Sequence, residues 1–143
     1  MKSLASIEVG EELPELRRVV TREDVMAYAD ASGDHNPLHQ DDAFAQSVGF
    51  DGVIAHGMFT MGHMAACALT WMGAQQTGAP AVAKLSAQFR ATVFMGDELV
   101  AGGRVRAFDL EAGSVTLHMW VTVTRDGTVE WPIRRGEVVL RFG

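Results

Sequence analysis

From Gly57 to Met72 the chain reads Gly-Met-Phe-Thr-Met-Gly-His-Met-Ala-Ala-Cys-Ala-Leu-Thr-Trp-Met, with no Asp, Glu, Lys or Arg in the run. Small and apolar residues at nearly every position predict a helix, and a helix that is apolar on all sides has to be covered on all sides. The rest of the chain must therefore supply the cover. With 143 residues there is material for one domain and one core, so residues 1–143 are expected to form a single domain around this segment.

The flanking sequence says what the cover is made of. Leu13 to Val20 suits an extended segment, and Thr21 followed three residues later by Asp24 has nearly the capping-box pattern. A helix to about Ser32 is predicted, with Val25, Tyr28 and Ala29 on one face and a stop at Ser32-Gly33-Asp34. Asp41-Asp42 can cap a short helix to about Ser47, after which Gly49, Asp51 and Gly52 keep the chain irregular as far as His56. Beyond Met72 the period falls to two. Ala83, Leu85, Ala87, Phe89, Ala91 and Val93 alternate with polar residues, which predicts a strand with one buried face. Leu99 to Phe108 reads as a second strand, and Val115, Leu117, Met119, Val121 and Val123 mark a third. Asp126-Gly127 signals a hairpin into a last extended run, Val129 to Ile133 and Gly136 to Phe142, where Pro132 predicts an edge position or a bulge near Trp131. Helices first and a meander of antiparallel strands after them make an α+β chain, best satisfied by one curved sheet wrapped around the apolar helix.

Charge and cysteine content narrow the function. The formal net charge of −6 argues against general attraction to nucleic acid or an anionic membrane surface. No window approaches the roughly 18 apolar residues of a membrane span, and the first residues contain no apolar run like a secretory signal, which predicts a cytoplasmic protein. Cys67 is the only cysteine, so no intramolecular disulfide forms and a buried structural thiol is expected.

Polar chemistry concentrates between Gly33 and His39, Gly-Asp-His-Asn-Pro-Leu-His, on backbone shaped by Gly and Pro. One reading is structural: Asp34 and Asn36 form side-chain-to-backbone turns and His39 caps a neighbouring helix. The other follows from Ile54-Ala-His-Gly-Met58, where Gly57 opens the apolar helix. A helix start presents unpaired N–H groups and positive potential, suited to an oxyanion. Hydration of an α,β-unsaturated thioester needs such a donor for its carbonyl oxygen and an acid–base pair acting on one water, roles that Gly57, Asp34 and His39 can fill.

The string Tyr28-Ala-Asp-Ala-Ser-Gly-Asp-His-Asn-Pro-Leu-His39, followed by Ala55-His-Gly-Met58, resembles the signature of the MaoC-type (R)-specific enoyl-thioester hydratases and dehydratases of the hot-dog fold. Val9-Gly10, Gly57-Met-Phe-Thr-Met-Gly62 and Phe89-Arg90 extend the likeness to the small single-domain members, among them the actinobacterial (3R)-hydroxyacyl-ACP dehydratase subunits. The resemblance implies a hot-dog sheet around the central helix, an Asp34–His39 catalytic dyad, a Gly57 amide holding the thioester oxygen, and Asn36 orienting the loop. No cofactor is expected. Some members carry a serine on the central helix, where this chain has Gly62-His-Met-Ala-Ala66.

Further expectations concern the surroundings. His56 is read as a helix-entry residue beside the substrate, and Gly62, Ala65, Ala66 and Leu69 form a stripe of mostly small residues that could line an acyl slot. Met58, Met61, Met64 and Met72 read first as core filling. His35, His39, His56 and His63 lack metal-ligand spacing, so no metal site is predicted. The substrate is expected on CoA or acyl carrier protein, with Arg104, Arg106, Arg134 and Arg135 available to phosphates or to an acidic carrier. A homodimer, or a heterodimer with a related hot-dog chain, is expected, since outward Trp120 and Phe108 otherwise remain exposed. Two other functions stand beside the hydratase: a non-catalytic partner subunit, which would have no need of both acid and base, and a hot-dog thioesterase.

Overall fold

The computed structural model describes residues 4–73 and 80–143. Short 3-10 turns lie at Leu4–Ser6 and Pro37–His39. The helices are α1 (Arg22–Ser32), α2 (Asp42–Ser47) and α3 (Gly57–Met72); the strands are β1 (Leu16–Val19), β2 (Ala81–Ser86), β3 (Glu98–Asp109), β4 (Ser114–Arg125) and β5 (Thr128–Arg141). All neighbours are antiparallel, in the order β1-β3-β4-β5-β2. The sheet curls along α3, which packs on β1, β3, β4 and β5, the hot-dog arrangement that the resemblance implies.

Local chemistry sets the boundaries. Thr21 and Asp24 form the reciprocal capping box of α1, and Gly33 ends that helix at φ 77°. Asp41 caps α2 by accepting the Phe44 N–H. At the β4–β5 hairpin, Asp126 and Gly127 both have positive φ, 49° and 77°, the geometry that matches the twist of the flanking strands. In β5, Gly136, Ile133 and Glu130 stand opposite Met119, Val121 and Val123, so β5 twice uses three residues against two of β4. The extra residues bend the strand, and Pro132 falls in this irregular stretch, as its missing N–H requires.

Inward residues of β3, β4 and β5, including Leu99, Ala101, Leu117, Met119, Val121, Ile133, Val138 and Leu140, share one cluster with Met64, Cys67, Ala68 and Met72 of α3. The closest approach is at Gly136, where an added Cβ would collide with Met64 Sδ and lie 3.2 Å from both Ile133 Cγ2 and the Met119 carbonyl oxygen.

Three expectations need correction. Complete coverage of α3 is not supplied by the described residues: Thr60, His63, Met64, Cys67, Ala68 and Met72 are buried, whereas Met58, at 54%, and Gly62 are exposed and Ala65, Ala66 and Leu69 are only half-buried. The sheet covers one face of the helix only. The alternating run from Ala83 to Val93 is a strand only as far as Ser86, because β2 is an edge strand paired on one side and the chain then turns to meet β5 and the segment leading into α3 through isolated bridges Phe89↔Ile133 and Ile54↔Phe94. Phe108 is half-buried against the core, while Trp120 lies on the outer face beside Gly102, with the Arg104 guanidinium 5.4 Å from its ring centroid.

Replacing Gly136 by Val would force Met64 away from β5, and overpacking of this kind costs about 1–3 kcal/mol. Chemical denaturation should give an unfolding free energy lowered by that amount, seen as a lower midpoint at unchanged m-value; a midpoint equal to the parent's contradicts the close α3–β5 contact.

Candidate active site

The loop after α1 is held by its own polar side chains. Ser32 Oγ accepts the Asp34 N–H at 3.1 Å, Asp34 Oδ1 accepts the Asn36 N–H at 3.2 Å, and Asn36 Oδ1 accepts the Leu38 N–H at 3.0 Å. Each side chain satisfies an amide two residues ahead, so the chain bends without regular structure. The structural reading of Asp34 and Asn36 as turn formers is thus met. His39, instead of capping a helix, turns its ring to the segment that leads into α3.

There Nδ1–H of His39 donates to the Ile54 carbonyl at 2.7 Å. A carbonyl can only accept, so this bond fixes the proton on Nδ1 and leaves Nε2 of the neutral ring with a lone pair. Backbone bonds Ile54 N–H to Leu38 O (3.3 Å) and Ala55 N–H to Val93 O (2.8 Å) bind the same segment to the loop and to the 87–97 stretch. His56, the N-cap residue of α3, is 2% exposed and its Nε2–H donates to the Asp34 carbonyl at 3.0 Å, with the Asp34 carboxylate 3.9 Å away. Its ring lies 3.8 Å from that of His39, nearly parallel, and Tyr28 closes on it at 4.8 Å.

These groups line one cavity of about 190 Å³ with Tyr28, Ser32, Asp34, His39, His56, Gly57 and Met58 in its wall. One ligand atom from each of Asp34, His39 and His56 lies within 4.8 Å of the others. The Asp34 side chain is 52% exposed, so its carboxylate and the His39 ring meet at a mouth open to water. Gly57 is the first residue of α3, where no preceding turn offers its N–H a carbonyl. An added Cβ there would sit 3.2 Å from the Phe89 ring, which explains the glycine sterically.

Asp34, His39 and His56 are the grouping among the described residues that could hold a metal. In that grouping His39 Nδ1 and His56 Nε2 are engaged by backbone carbonyls and the two rings are stacked, a poor arrangement for converging on one ion. His63 is packed rather than reactive: its Nε2–H donates to the Leu16 carbonyl at 2.8 Å, and burial lowers its pKa. Burial likewise raises the Cys67 thiol to about 11, the structural role expected of it.

Beside this site runs a groove of about 430 Å³ between α1 and α3, lined in part by Tyr28, Phe59, Gly62, His63 and Ala66. Gly62 and Ala66 of the small-residue stripe face it, and Ala65 is not in its wall. Tyr28 borders both spaces. Sequence reasoning placed Tyr28 only on a helix face and missed Ser32 and the Ile54 carbonyl as parts of the site; the tyrosine's place in the motif was the available signal. A backbone carbonyl leaves none.

Comparisons with known proteins point one way. The MaoC like domain family matches residues 6–127. The mitochondrial 3-hydroxyacyl-[acyl-carrier-protein] dehydratase of Arabidopsis thaliana is 38% identical over 104 residues, 73% of this chain and 58% of that protein, so this chain spans little more than half of that relative. The (R)-specific enoyl-CoA hydratase of Aeromonas caviae is 35% identical over 116 residues, 80% of this chain and 83% of the relative. Among solved structures, the (R)-hydratase from A. caviae involved in PHA biosynthesis superimposes with a TM-score of 0.79 at 30% identity, covering 96% of this chain and 98% of that one. R-Hydratase PhaJ1 from Pseudomonas aeruginosa gives 0.81 at 27% identity, covering 96% and 83%. With most of its length matched and the same curled sheet around α3, this chain belongs to the family of MaoC-like domains.

Proposed function

We propose that this chain catalyses the reversible addition of water to a trans-2-enoyl thioester, giving the (3R)-hydroxyacyl thioester, with Asp34 and His39 as the acid–base pair. Its relatives are hydratases and dehydratases, and it is an enzyme of that kind. The observation that carries the residue assignment is the convergence of Asp34 and the stacked His39 and His56 beside the first N–H of α3.

The chemistry follows from that geometry. The thioester carbonyl oxygen faces the Gly57 N–H, where the positive end of α3 favours the charge that builds on it. Water held between Asp34 and His39 Nε2 gives one proton to the pair as its oxygen bonds to C3, and a proton from the pair completes C2. Dehydration is the same path reversed. His56 keeps the His39 ring in place by stacking, Asn36 holds the loop, and the acyl tail runs along the α1–α3 groove past Gly62 and Ala66. The carrier is CoA or acyl carrier protein.

The groups act on one water, so removing either should cost nearly as much as removing both. Asp34→Asn and His39→Gln are each expected to lower turnover of crotonyl-CoA by at least about 100-fold, with the double variant little worse. A folded Asp34→Asn protein with parental turnover contradicts the assignment, and release of free thiol instead of loss of enoyl absorbance points to a thioesterase.

The groove yields a second expectation. Ala66→Phe should lower the ratio of turnover on a long trans-2-enoyl-CoA to that on crotonyl-CoA by at least about tenfold, the scale on which filling an apolar pocket discriminates chain length. An unchanged ratio places the tail elsewhere.

The exposed side of α3 and the free edge of β2 also call for cover, which a second copy or a related hot-dog chain supplies. Sedimentation equilibrium is expected to return twice the chain mass for the purified protein alone. A fully active species of one chain mass overturns this.

A further inference from the structure

Basic residues are scarce in this chain, and half of its 12 Lys and Arg residues are neutralised locally. Arg17, Arg18, Arg22, Lys84, Arg106 and Arg125 each pair with a carboxylate. Arg90, Arg104, Arg134 and Arg135 have no carboxylate partner among the described residues, and all four gather on two adjoining grooves of the sheet's outer side. The larger, about 470 Å³, is lined by Arg90, Ala91, Glu130, Trp131, Arg134 and Arg135; the smaller, about 320 Å³, shares Trp131 and Arg134 with it. In a protein of net charge −6 this cluster is a local positive field that attracts an anion. The field is felt locally, since Arg104, Arg106 and Arg135 add to burial in lowering the His118 pKa.

The lining also offers an aromatic ring, Trp131. The Arg134 guanidinium lies 5.0 Å from the Trp131 ring centroid, and stacking uses only the face of the guanidinium, leaving its N–H donors for an anion. Glu130 adds an acceptor. A concave site with a tryptophan, several arginines and one carboxylate suits a phosphorylated purine nucleoside, whose ring stacks, whose phosphates take the arginines and whose amino group meets a carboxylate. An acidic protein surface fits less well, because it meets the Glu130 charge and leaves the hollow unfilled. The groove also adjoins the reaction site in sequence and space: Phe89 packs on Gly57, its neighbour Arg90 lines the groove, and the Arg90 N–H bonds the Pro132 carbonyl at 2.9 Å.

We propose that the groove of Arg90, Trp131, Arg134 and Arg135 binds the phosphorylated adenosine end of an acyl-CoA, making a CoA thioester the substrate of this chain. This rests on the thioester reading above, yet the binding is measurable without turnover. The probe is adenosine 3′,5′-bisphosphate, titrated into the purified 143-residue protein by calorimetry at low ionic strength and followed by tryptophan fluorescence.

Saturable binding that weakens with added salt is expected, with Kd raised at least tenfold, about one lost charge-assisted contact, in Arg134→Gln/Arg135→Gln. Arg141→Gln, which removes an arginine outside the grooves with no carboxylate partner among the described residues, should bind as the parent does. Circular dichroism establishes that the variants are folded, and Trp131→Leu provides an independent test by removing the ring while keeping every charge. No saturable binding to the parent protein, or equal affinity in the Arg134/Arg135 and Trp131 variants, overturns the proposal. So does tight binding of an acidic carrier protein that the bisphosphate fails to displace. If the bisphosphate binds as expected while no thioester is hydrated, the nucleotide site stands and the dyad assignment falls.

Discussion

Burial of one face of α3 in the curve of the sheet is the contact on which the rest of the molecule depends. Met64 seats over Gly136, Cys67 and Met72 join the inward residues of β3, β4 and β5, and the helix is held along its length. Its position fixes the place of its first turn. The segment leading into α3 is in turn bonded to the loop after α1 and to the stretch beyond β2, so three parts of the chain distant in sequence meet at Gly57. A site built on such a junction needs no long rigid loop, because its backbone is held on each side.

The polar groups at the junction divide structural and chemical duties between their own atoms. His39 gives Nδ1–H to a backbone carbonyl and keeps Nε2 free; Asp34 uses Oδ1 and its carbonyl to shape the loop and to hold His56, while Oδ2 faces His56 at 3.9 Å. The turn chemistry and the proposed acid–base chemistry are therefore not rivals. Bonds that look merely structural hold the imidazole and carboxylate where one water can touch both, which is the preorganisation that proton transfer rewards. His56 Nδ1 is buried without a hydrogen-bond partner among the described residues, a cost borne next to this centre.

Much of this was legible in the residues. Thr21 and Asp24, Asp41, Asp126-Gly127 and the alternation along β4 are local signals, and each element formed where its signal lay. The run from Gly57 to Met72 gave both ends of α3, but uniform apolarity does not reveal which face the chain's own sheet covers, and half of that helix surface is left open. The Ala83–Val93 alternation misled for a related reason. Period two describes what a strand's faces could bury, whereas β2 is cut short by tertiary demands: Phe89 must reach Gly57 and Val93 must bond Ala55. Asp34, His39 and Gly57, which the motif singles out, line one cavity; Ala65 was assigned to the groove wall by helical spacing alone, and a stripe that runs from exposed Gly62 to half-buried Leu69 does not all face one space.

The account's central claim is that Asp34 and His39 hold one water on one side of a substrate whose carbonyl is fixed at the start of α3. Water delivered from a fixed side creates one configuration at C3. Chiral separation of the 3-hydroxyacyl product formed from a trans-2-enoyl-CoA tests this most directly. The account predicts the (R) product alone; an (S) product, or a mixture of both formed at the enzyme-catalysed rate, contradicts it.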